Sequence, residues 1–409
     1  MPDPTAEALL ARLEELPAAE PLLRRLRDVA GVYLVGGAVR DLLLGGVPAD
    51  LDLAVEDELG AVARLLGDVV REHGRFLTCT VLADGLRYDI AQARAERYER
   101  PGALPTVIGP ATIEADLERR DFTVNAIALG IGGADRGRLV EVAGARDDLR
   151  RRLLRVLHEG SFVDDPTRLL RLARYGARLG FSVEPATGLL VADALATGAL
   201  RTVSGERIGA ELRLSAAERD PIAAFTVLAA LGVDEAIAPG FGLAQPALAA
   251  RALELLPPDG DPGAVVLALA VRGVELAARR RLLDELAFPA ESRDRILAAA
   301  EGAGRLAPMM ARADRPSEIA AAVGGRPVEL VAVAGAIGAE RQAARWLEDL
   351  RHVKLAIDGN DLLRAGVPAG PRIGAALAAA LAARLDGLAG DRRAQLAVAL
   401  RAAGARAGG

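Results

Sequence analysis

The stretch VGGAVRDLLLGGVPADLD, residues 35–52, places a glycine pair ahead of two alternating aspartates. An apolar run ends at Gly36 and Gly37, a segment compatible with a helix follows, and a Gly-Gly-x-Pro turn then reverses the chain. A short strand is expected next, carrying Asp50 and Asp52. The order predicts a strand, a helix, a turn and a second strand. The glycine pair ends the first strand, and the two aspartates lie on the second.

The spacing of the two aspartates suits a metal ion. Side chains alternate across a strand, so Asp50 and Asp52 are expected to project from one face. Mg²⁺ binds through one or two carboxylates and completes its shell with water and phosphate oxygens. Gly36 and Gly37 allow a triphosphate to approach the backbone, and N–H groups at the start of a helix attract anions. With Arg40 they are expected to cradle a triphosphate.

Each of these features is common when it occurs alone. Glycine pairs often precede structural helices, and D-x-D arises frequently by chance. Together, in this order, they indicate transfer of a nucleotidyl or phosphoryl group.

The composition is that of a soluble globular protein, with 51% hydrophobic and 26% charged residues among 409. This length predicts two to four compact units. The single Cys79 excludes an internal disulfide and a cysteine-rich metal site, and none of the three histidines is spaced as a zinc-binding pair. The acidic start and the lack of a charge-free apolar run of about 18 residues predict a cytoplasmic protein without a membrane segment. The net charge of −5 leaves local RNA-binding patches possible.

Helices and strands alternate through the first part of the chain. Leucines at helical intervals predict helix over residues 1–30, and 56–73 is expected to form another helix after an acidic start. Residues 76–82 and 86–91 are predicted strands, joined by a hairpin near Asp84-Gly85.

The second strand of this hairpin offers a further carboxylate. Arg87 and Asp89 are expected to share one face of it. Asp89 is our candidate for a third catalytic carboxylate, which would activate an attacking hydroxyl beside the metal. The alternative is a surface position on a strand.

The pattern G-G-x-V-R-D followed by D-x-D resembles the class II tRNA nucleotidyltransferase and bacterial poly(A) polymerase family. Three later segments resemble the same family. DIAQARAERY from Asp89 is similar to its D-I-A-T-x-R-x-E-x-Y pattern, with Gln92 at the usual threonine. RRDFTVNA from Arg119 matches its R-R-D-F-T-x-N-A motif, and residues 137–160 resemble the connector from head to neck. Pro101, Gly102 and Pro105 mark a loop expected near the site.

This resemblance implies roles for particular residues. Arg120, Asp121 and Asn125 are expected to contact the sugar and phosphates of the incoming nucleotide. An arginine offers a fork of donors to phosphate, and Asp121 can accept from a ribose 2′-hydroxyl. The alternative is a structural ion pair at a helix end.

The segment SFVDDPTRLLR, residues 161–171, resembles the family motif E-D-x-x-R, with Asp164 in place of glutamate. Cytosine and adenine both present an amino donor beside a ring-nitrogen acceptor, whereas uracil and guanine present a carbonyl beside an N–H. A carboxylate next to a guanidinium therefore complements C and A, and a site of buried hydrogen-bonding groups can reject the wrong base by about 10⁴. We assign this role to Asp165 and Arg168, expected as neighbours on one helix face. The alternative is a surface salt bridge.

Further basic residues follow on the same predicted helix. Arg171, Arg174 and Arg178 recur at helical steps and are expected to bind the nucleotide or the RNA backbone, although a solvated face would show the same spacing. The element Glu206-Arg207…Glu211 resembles a family segment that supports the base-reading helix.

The resemblance implies an α+β nucleotidyltransferase head made of a small mixed sheet with helices, followed by all-α neck, body and tail domains. The expected boundaries are 1–147 for the head, 148–215 for the neck, 216–305 for the body and 306–409 for the tail. Residues 355–381 resemble a segment of the family tail that holds the elbow of tRNA.

The expected activity is Mg²⁺-dependent addition of C, C and A from CTP and ATP to the 3′ end of tRNA, without a template and with no protein partner. Addition of CC only or of A only would use the same motifs. A poly(A) polymerase would share the head, but its branch tends to carry extra basic residues that Gly74-Arg75-Phe76 and the terminal ARAGG do not clearly show. A non-catalytic RNA-binding scaffold would have no need of Asp50 and Asp52.

Overall fold

The computed structural model describes residues 4–73 and 77–404, so Gly74-Arg75-Phe76 and the terminal ARAGG lie outside the described residues. The chain divides into two compact units. The first comprises Met1–Ile208 with Leu231–Ala236, and the second comprises Gly209–Ala230 with Ile237–Gly409. The four domain boundaries expected from the sequence stay predictions.

The first unit is built on a seven-stranded mixed sheet in the order β3-β4-β5-β2-β1-β8-β9. Neighbouring strands are antiparallel except for the parallel pair β2–β5. The strands are β1 Val32–Val35, β2 Leu53–Val55, β3 Asp68–His73, β4 Thr78–Ala83, β5 Leu86–Gln92, β6 Ala95–Arg97, β7 Thr106–Ile108, β8 Ile127–Gly130, β9 Leu139–Glu141, β10 Leu153–Leu154 and β11 Ser182–Val183.

Helices cover this sheet and continue through the rest of the first unit. They are α1 Ala6–Glu14, α2 Glu20–Arg25, α3 Gly37–Leu43, α4 Leu59–Leu66, α5 Ile113–Glu118, α6 Ala145–Arg151, α7 Ser161–Asp164, α8 Arg168–Leu179, α9 Pro185–Ala196 and α10 Gly205–Ala216.

The central strand β1 explains why the sheet forms where it does. All four of its residues are buried, and they are β-branched, aromatic or aliphatic, which suits a strand covered on both faces. Tyr33 and Val35 pack in one apolar cluster with Ala128 of β8 and with Ile113 and Leu117 of α5. This core supports the strand end from which the Gly36 turn departs.

The N-terminal helical prediction is confirmed in its essentials. Two helices, α1 and α2, replace a single one because Pro17 opens a 3₁₀ turn between them. Leu9 and Leu13 are fully buried, as their helical spacing predicts.

The predicted helix over 56–73 is wrong in its second half. Gly67 ends α4, and residues 68–73 form strand β3, which pairs antiparallel with β4. A Cβ atom at Gly67 would lie 2.4 Å from the Leu82 carbonyl oxygen, so this glycine lets β3 begin directly against β4. The β-branched Val69 and Val70 then favour the strand.

The second unit is helical and continues from α10. Its helices are α11 Pro221–Ala230, α13 Pro246–Leu255, α14 Pro262–Val271, α15 Leu276–Glu285, α16 Ala290–Ala311, α17 Pro316–Val323, α18 Val328–Ala334, α19 Glu340–Glu348, α20 Gly359–Arg364, α21 Pro371–Leu385 and α22 Arg392–Ala402. The short helix α12 Val233–Ile237 belongs to the first unit except for its last residue. A π-helical turn, Gly335–Ala339, joins α18 to α19.

Within residues 4–73 and 77–404, no single helix is both long and apolar enough to cross a membrane. One pair of segments, Pro316–Val323 with Val328–His352, meets that test jointly by length and composition, and it is bent by 115°.

Candidate active site

The turn between β1 and α3 brings backbone and guanidinium groups close together. Gly36 has φ of 64° and ψ of −124°, and its N–H donates to the Ile127 carbonyl at 3.0 Å. A Cβ atom at Gly36 would lie 2.8 Å from Nη1 of Arg120. Glycine is required here both for the backbone conformation and for the approach of Arg120.

Asp50 and Asp52 lie just before strand β2, and Asp89 lies on the adjacent strand β5. Contrary to the sequence prediction, Asp50 and Asp52 precede β2, which begins at Leu53. In the parallel pair β2–β5, Leu53 lies opposite Ile90, so Asp52 and Asp89, each one residue earlier, are neighbours. The register therefore brings together carboxylates that are far apart in sequence.

The electrostatics of Asp52 reflect this proximity. Its pKa is raised, first by desolvation and then by the negative charges of Asp50 and Asp89, while Arg120 lowers it. A divalent cation relieves such repulsion, so the donor set fits Mg²⁺. Across residues 4–73 and 77–404, no three His, Cys, Asp or Glu side chains are already grouped to hold a metal ion.

A buried chain of polar groups links α3 to α8. Arg40 Nη1 donates to Asn125 Oδ1 at 2.6 Å, and Asn125 Nδ2 donates to Asp121 Oδ1 at 3.1 Å. Arg171 donates through Nε and Nη2 to Asp121 Oδ2, at 2.9 and 2.5 Å. The predicted phosphate-binding residues therefore belong to one network.

Asp121 is ionised within this network. Burial alone would raise its pKa, but the charge of Arg171 and hydrogen bonds from Asn125, Arg171 and the Phe122 amide outweigh burial and lower it. Four donated hydrogen bonds fill the acceptor capacity of the carboxylate. A ribose hydroxyl can reach Asp121 only if one donor, such as Arg171, turns away.

Arg120 is held by a fully buried carboxylate. Asp116 accepts from Arg120 Nη2 at 2.9 Å and from Arg119 Nη2 at 2.7 Å. Burial would raise the pKa of Asp116, but the charges of Arg120 and Arg119 and their hydrogen bonds lower it. Asp116 thus orients Arg120 toward the Gly36 turn.

Asp165 lies outside the helix that carries Arg168, which corrects the prediction of a shared helix face. Pro166 disfavours helical backbone in the residue before it, and Asp165 has φ of −133° and ψ of 91°. Its Oδ1 accepts from the amide of Thr167 at 3.0 Å and from the hydroxyl of Thr167 at 2.6 Å, just before α8 begins.

The two residues nevertheless face the same cavity. Arg168 is 4% exposed, and its Nη2 donates to the Arg119 carbonyl at 2.8 Å. Asp165 Oδ1 also accepts from Arg207 Nη2 at 2.8 Å, and Arg207 Nη1 donates to the Gly102 carbonyl at 3.0 Å. Arg207, predicted only as support, contacts Asp165 directly.

The arginines of α8 gather around one aromatic ring. The Cζ atoms of Arg174, Arg178, Arg40 and Arg171 lie 5.0, 5.7, 5.9 and 6.0 Å from the centroid of Tyr175. Phe122 contacts the same ring edge-on at 5.9 Å. This arrangement concentrates positive charge around the Tyr175 ring.

A cavity of ≈ 420 Å³ joins these groups. Nine predicted site residues line it: Gly36, Gly37, Asp52, Arg120, Asp121, Asn125, Asp165, Arg168 and Arg171. Four others do not line it: Arg40, Asp50, Asp89 and Arg174. Leu104 and Pro105 line it too, so the loop marked by Pro101, Gly102 and Pro105 reaches this cavity.

Sequence reasoning missed Arg94, Glu96, Tyr98 and Tyr175, which also line this cavity. Tyr175 lies four residues after Arg171 on the predicted helix, so its position in the arginine stripe was a usable signal. Desolvation, in the first place, raises the pKa of Tyr98 to about 12.

A separate cavity of ≈ 600 Å³ shares no lining residue with the first. Half of its twelve lining residues are apolar and half are polar or charged, and none of the three candidate catalytic carboxylates lines it. Size alone does not indicate the active site here.

Residues 32–155 match the Poly A polymerase head domain. The chain is 37% identical over 299 residues to the CC-adding tRNA nucleotidyltransferase of Deinococcus radiodurans, covering 68% of this chain and 78% of that one. The chain belongs to the tRNA nucleotidyltransferase and poly(A) polymerase family. The resemblance inferred from the motifs is thereby confirmed.

Other comparisons agree with this family and with the predicted fold class. The A-adding tRNA nucleotidyltransferase of Halalkalibacterium halodurans is 44% identical over 228 residues, or 53% of each chain. The solved apo form II of a CCA-adding enzyme superposes with a TM-score of 0.82 at 28% identity, covering 98% of this chain and all of that one. The chain spans about half or less of the length of the A-adding relatives it matches.

Proposed function

We propose that this family member adds C, C and A from CTP and ATP to the 3′ end of tRNA, with release of pyrophosphate. The observation that supports this proposal most directly is the shared cleft. One cavity is lined by Asp52, by the phosphate-binding candidates Arg120 and Arg171, and by the base-reading candidates Asp165 and Arg168. A nucleotidyltransferase needs these three functions around a single bound nucleotide.

Asp50 and Asp52 would hold Mg²⁺, which when bound neutralises charge on the reacting phosphate, and Asp89 beside them would activate the attacking hydroxyl. The glycine turn admits the triphosphate close to the backbone. Arg120 and Arg171 are oriented by Asp116 and Asp121, so their forks are fixed before an anion arrives.

The proposed base selection rests on how Asp165 is held. Among the described residues, Asp165 accepts three side-chain hydrogen bonds, two from Thr167 and one from Arg207, and all of them reach Oδ1. Oδ2 is therefore available to accept from the amino group of cytosine or adenine, while Arg168 donates to the ring nitrogen. Uracil and guanine would present a carbonyl to the carboxylate, which costs a buried hydrogen bond.

Solved CCA-adding enzymes that resemble this chain, at TM-scores of 0.74 to 0.79, are complexes with tRNA, CTP and ATP. The second candidate is addition of A alone. It is favoured by the 44% identity to an A-adding relative. Both reactions would use the cleft described above.

The test uses tRNA transcripts that end at the discriminator base or in CC, incubated with Mg²⁺ and CTP, ATP or both. Sequencing of the 3′ ends should show CC with CTP alone and CCA with both nucleotides. Extension only of the CC-ending transcript, by a single A, would replace the proposal with the A-only function. Long A tails on unrelated RNA would indicate a poly(A) polymerase.

Substitution of Asp50 and Asp52 tests whether this activity depends on their carboxylates. Asp52→Asn and Asp50→Asn should each lower kcat by at least about 10³, because the metal-binding charge is lost. The control is Asp193→Asn, which changes an exposed aspartate on α9. Wild-type turnover by both cleft variants would remove the catalytic assignment.

A further inference from the structure

The second unit contains a cavity of ≈ 430 Å³ whose charged lining residues are all basic. Arg251 of α13 and Arg272 at the end of α14 line it, together with Gln245. The other lining residues are glycines, alanine, leucines and Ile337, so none of its ten residues is acidic. A cavity of a few hundred cubic ångströms is large enough for a small ligand.

Close backbone contacts build one wall of this cavity. A Cβ atom at Gly240 would lie 2.4 Å from the Gly273 carbonyl oxygen, and one at Gly273 would lie 2.2 Å from the Gly240 oxygen. The N–H of Gly242 donates to the Ala270 carbonyl at 2.9 Å. These contacts hold the loop before α13 against the end of α14, so backbone packing, rather than the placement of side chains, defines this wall of the cavity.

An irregular helical turn also contributes to the wall of this cavity. Ile337 belongs to the π-helix Gly335–Ala339, in which Gly338 has φ of 167° and ψ of 19°. Arg251 Nη2 donates to the Ala336 carbonyl of this turn at 3.4 Å. Single π-helical turns occur frequently at functional sites.

The arginines at this cavity make no ion pair with a carboxylate in the described part of the chain. Arg251 and Arg272, with their neighbour Arg279, form no salt bridge within residues 4–73 and 77–404. Arg279 instead donates to the carbonyls of Arg272 and Val274, at 2.6 and 3.0 Å. The pKa of Arg272 is lowered, first by burial and then by the positive charge of Arg279.

Such an arrangement stores unfavourable electrostatic energy that an anion would relieve. Guanidinium groups with no acidic partner bind phosphate strongly because the fork geometry matches phosphate oxygens, and Arg272 is also partly shielded from water. Gln245 adds a neutral donor suited to an ester or anhydride oxygen.

We propose that this cavity is a phosphate-binding site in the second unit, with Arg251 and Arg272 as its ligands. The phosphate belongs either to the backbone of a bound RNA or to a free phosphorylated molecule. The proposal concerns residues 242–273 and 337 alone and does not rest on the proposed function.

The test uses the full-length protein with inorganic phosphate as the probe. Isothermal titration compares the wild type with Arg272→Gln and with Arg251→Gln. Arg251 is exposed, so its variant is expected to fold normally even if Arg272→Gln does not. Arg312→Gln, which alters an exposed arginine after α16, is the charge-matched control.

Both cavity variants should weaken phosphate binding at one class of sites by at least about tenfold, whereas Arg312→Gln should not, and Arg272→Lys should recover part of the loss. Phosphate affinity equal to that of Arg312→Gln in both variants would overturn the proposal.

A second measurement distinguishes the two phosphate sources. If the site holds RNA, both variants should also weaken tRNA binding, and the slope of log affinity against log salt should fall by about one. If the site holds a free molecule, tRNA affinity should stay at the wild-type value while phosphate binding is lost.

Discussion

At the scale of single residues, Tyr175 offsets the repulsion between neighbouring arginines in the cleft. Four guanidinium groups that would repel one another lie within 6.0 Å of its ring centroid. Each contact with the negative face of an aromatic ring contributes about 0.5–1 kcal/mol at a partly exposed site. The ring therefore keeps phosphate-binding arginines together before the nucleotide arrives.

Replacing the ring of Tyr175 should loosen nucleotide binding more than it slows the reaction. Tyr175→Leu should raise KM for ATP or CTP by about tenfold and change kcat by less than about threefold. The arginines would no longer be held in place by the ring, and the nucleotide would lose roughly 1.4 kcal/mol of binding free energy. Steady-state kinetics with saturating tRNA measures this split. Tyr175→Phe keeps the ring and should behave as wild type; a loss equal to that of Tyr175→Leu would mean that the hydroxyl, rather than the ring, binds the nucleotide.

Arg168 should determine which nucleotides are accepted. Arg168→Ala should lower the preference for CTP and ATP over UTP and GTP by at least about 10², since the donor for the ring nitrogen is removed. Ratios of kcat/KM for the four nucleotides measure the effect. Arg201→Ala, an exposed arginine of the same unit, is the control, and an unchanged preference in Arg168→Ala would contradict base reading by this residue.

At the scale of structural elements, the turn between β1 and α3 joins the stability of the sheet to the geometry of the cleft. Its glycine conformation lets the chain leave a buried strand and turn at once into α3, which carries Arg40. The same turn leaves space for Arg120. A side chain here would disturb both the backbone and the site.

Gly36→Ala should therefore lose activity beyond what its loss of stability explains. Its backbone conformation costs an alanine about 1–3 kcal/mol, and the added methyl group displaces Arg120. Gly45→Ala is the matched control, because Gly45 also has positive φ, at 79°, but a Cβ there meets nothing within 4 Å. We expect a lower melting temperature in both variants and a loss of kcat/KM of at least about tenfold only in Gly36→Ala.

At the scale of the whole molecule, buried carboxylates paired with arginine make stability depend on acid pH. Burial would raise the pKa of Asp116, yet the charges of Arg120 and Arg119 lower it below the ordinary value of 3.8. Its contribution to stability is therefore complete above about pH 4 and declines as the pH falls toward the folded-state pKa. Asp121 acts in the same direction.

Asp116→Asn should reduce the free energy of unfolding at pH 7 by about 3 kcal/mol, because it removes the buried carboxylate that pairs with Arg120 and Arg119 and, within the described residues, leaves only Arg119 with another carboxylate partner, Glu96. Its stability should also fall less steeply than that of the wild type below pH 4. Denaturant unfolding at pH 7, 5, 4 and 3 measures both effects. Asp193→Asn, which alters an exposed side chain, should follow the wild-type curve.

The sequence by itself determined the family, the fold class and most of the residues that line the cleft. Local patterns carry this information: the glycine turn, the alternating aspartates and the arginine spacing of α8 are written within short segments. The predicted helix boundaries that are wrong lie where an adjacent residue or a pairing strand overrides the local helical preference of the sequence. Residues 68–73 form a strand because β4 is available to pair with them, and Asp165 leaves the helix because Pro166 follows it.

Only the tertiary structure determined which distant groups meet. The register of β2 against β5 sets Asp52 beside Asp89, and packing of Phe122 against α8 places Tyr175 among four arginines. The basic cavity of the second unit depends on two glycine backbones in contact, across more than thirty residues of sequence. Such contacts depend on the register of strands and the packing of helices, which are set by the whole core and leave no short-range pattern in the sequence.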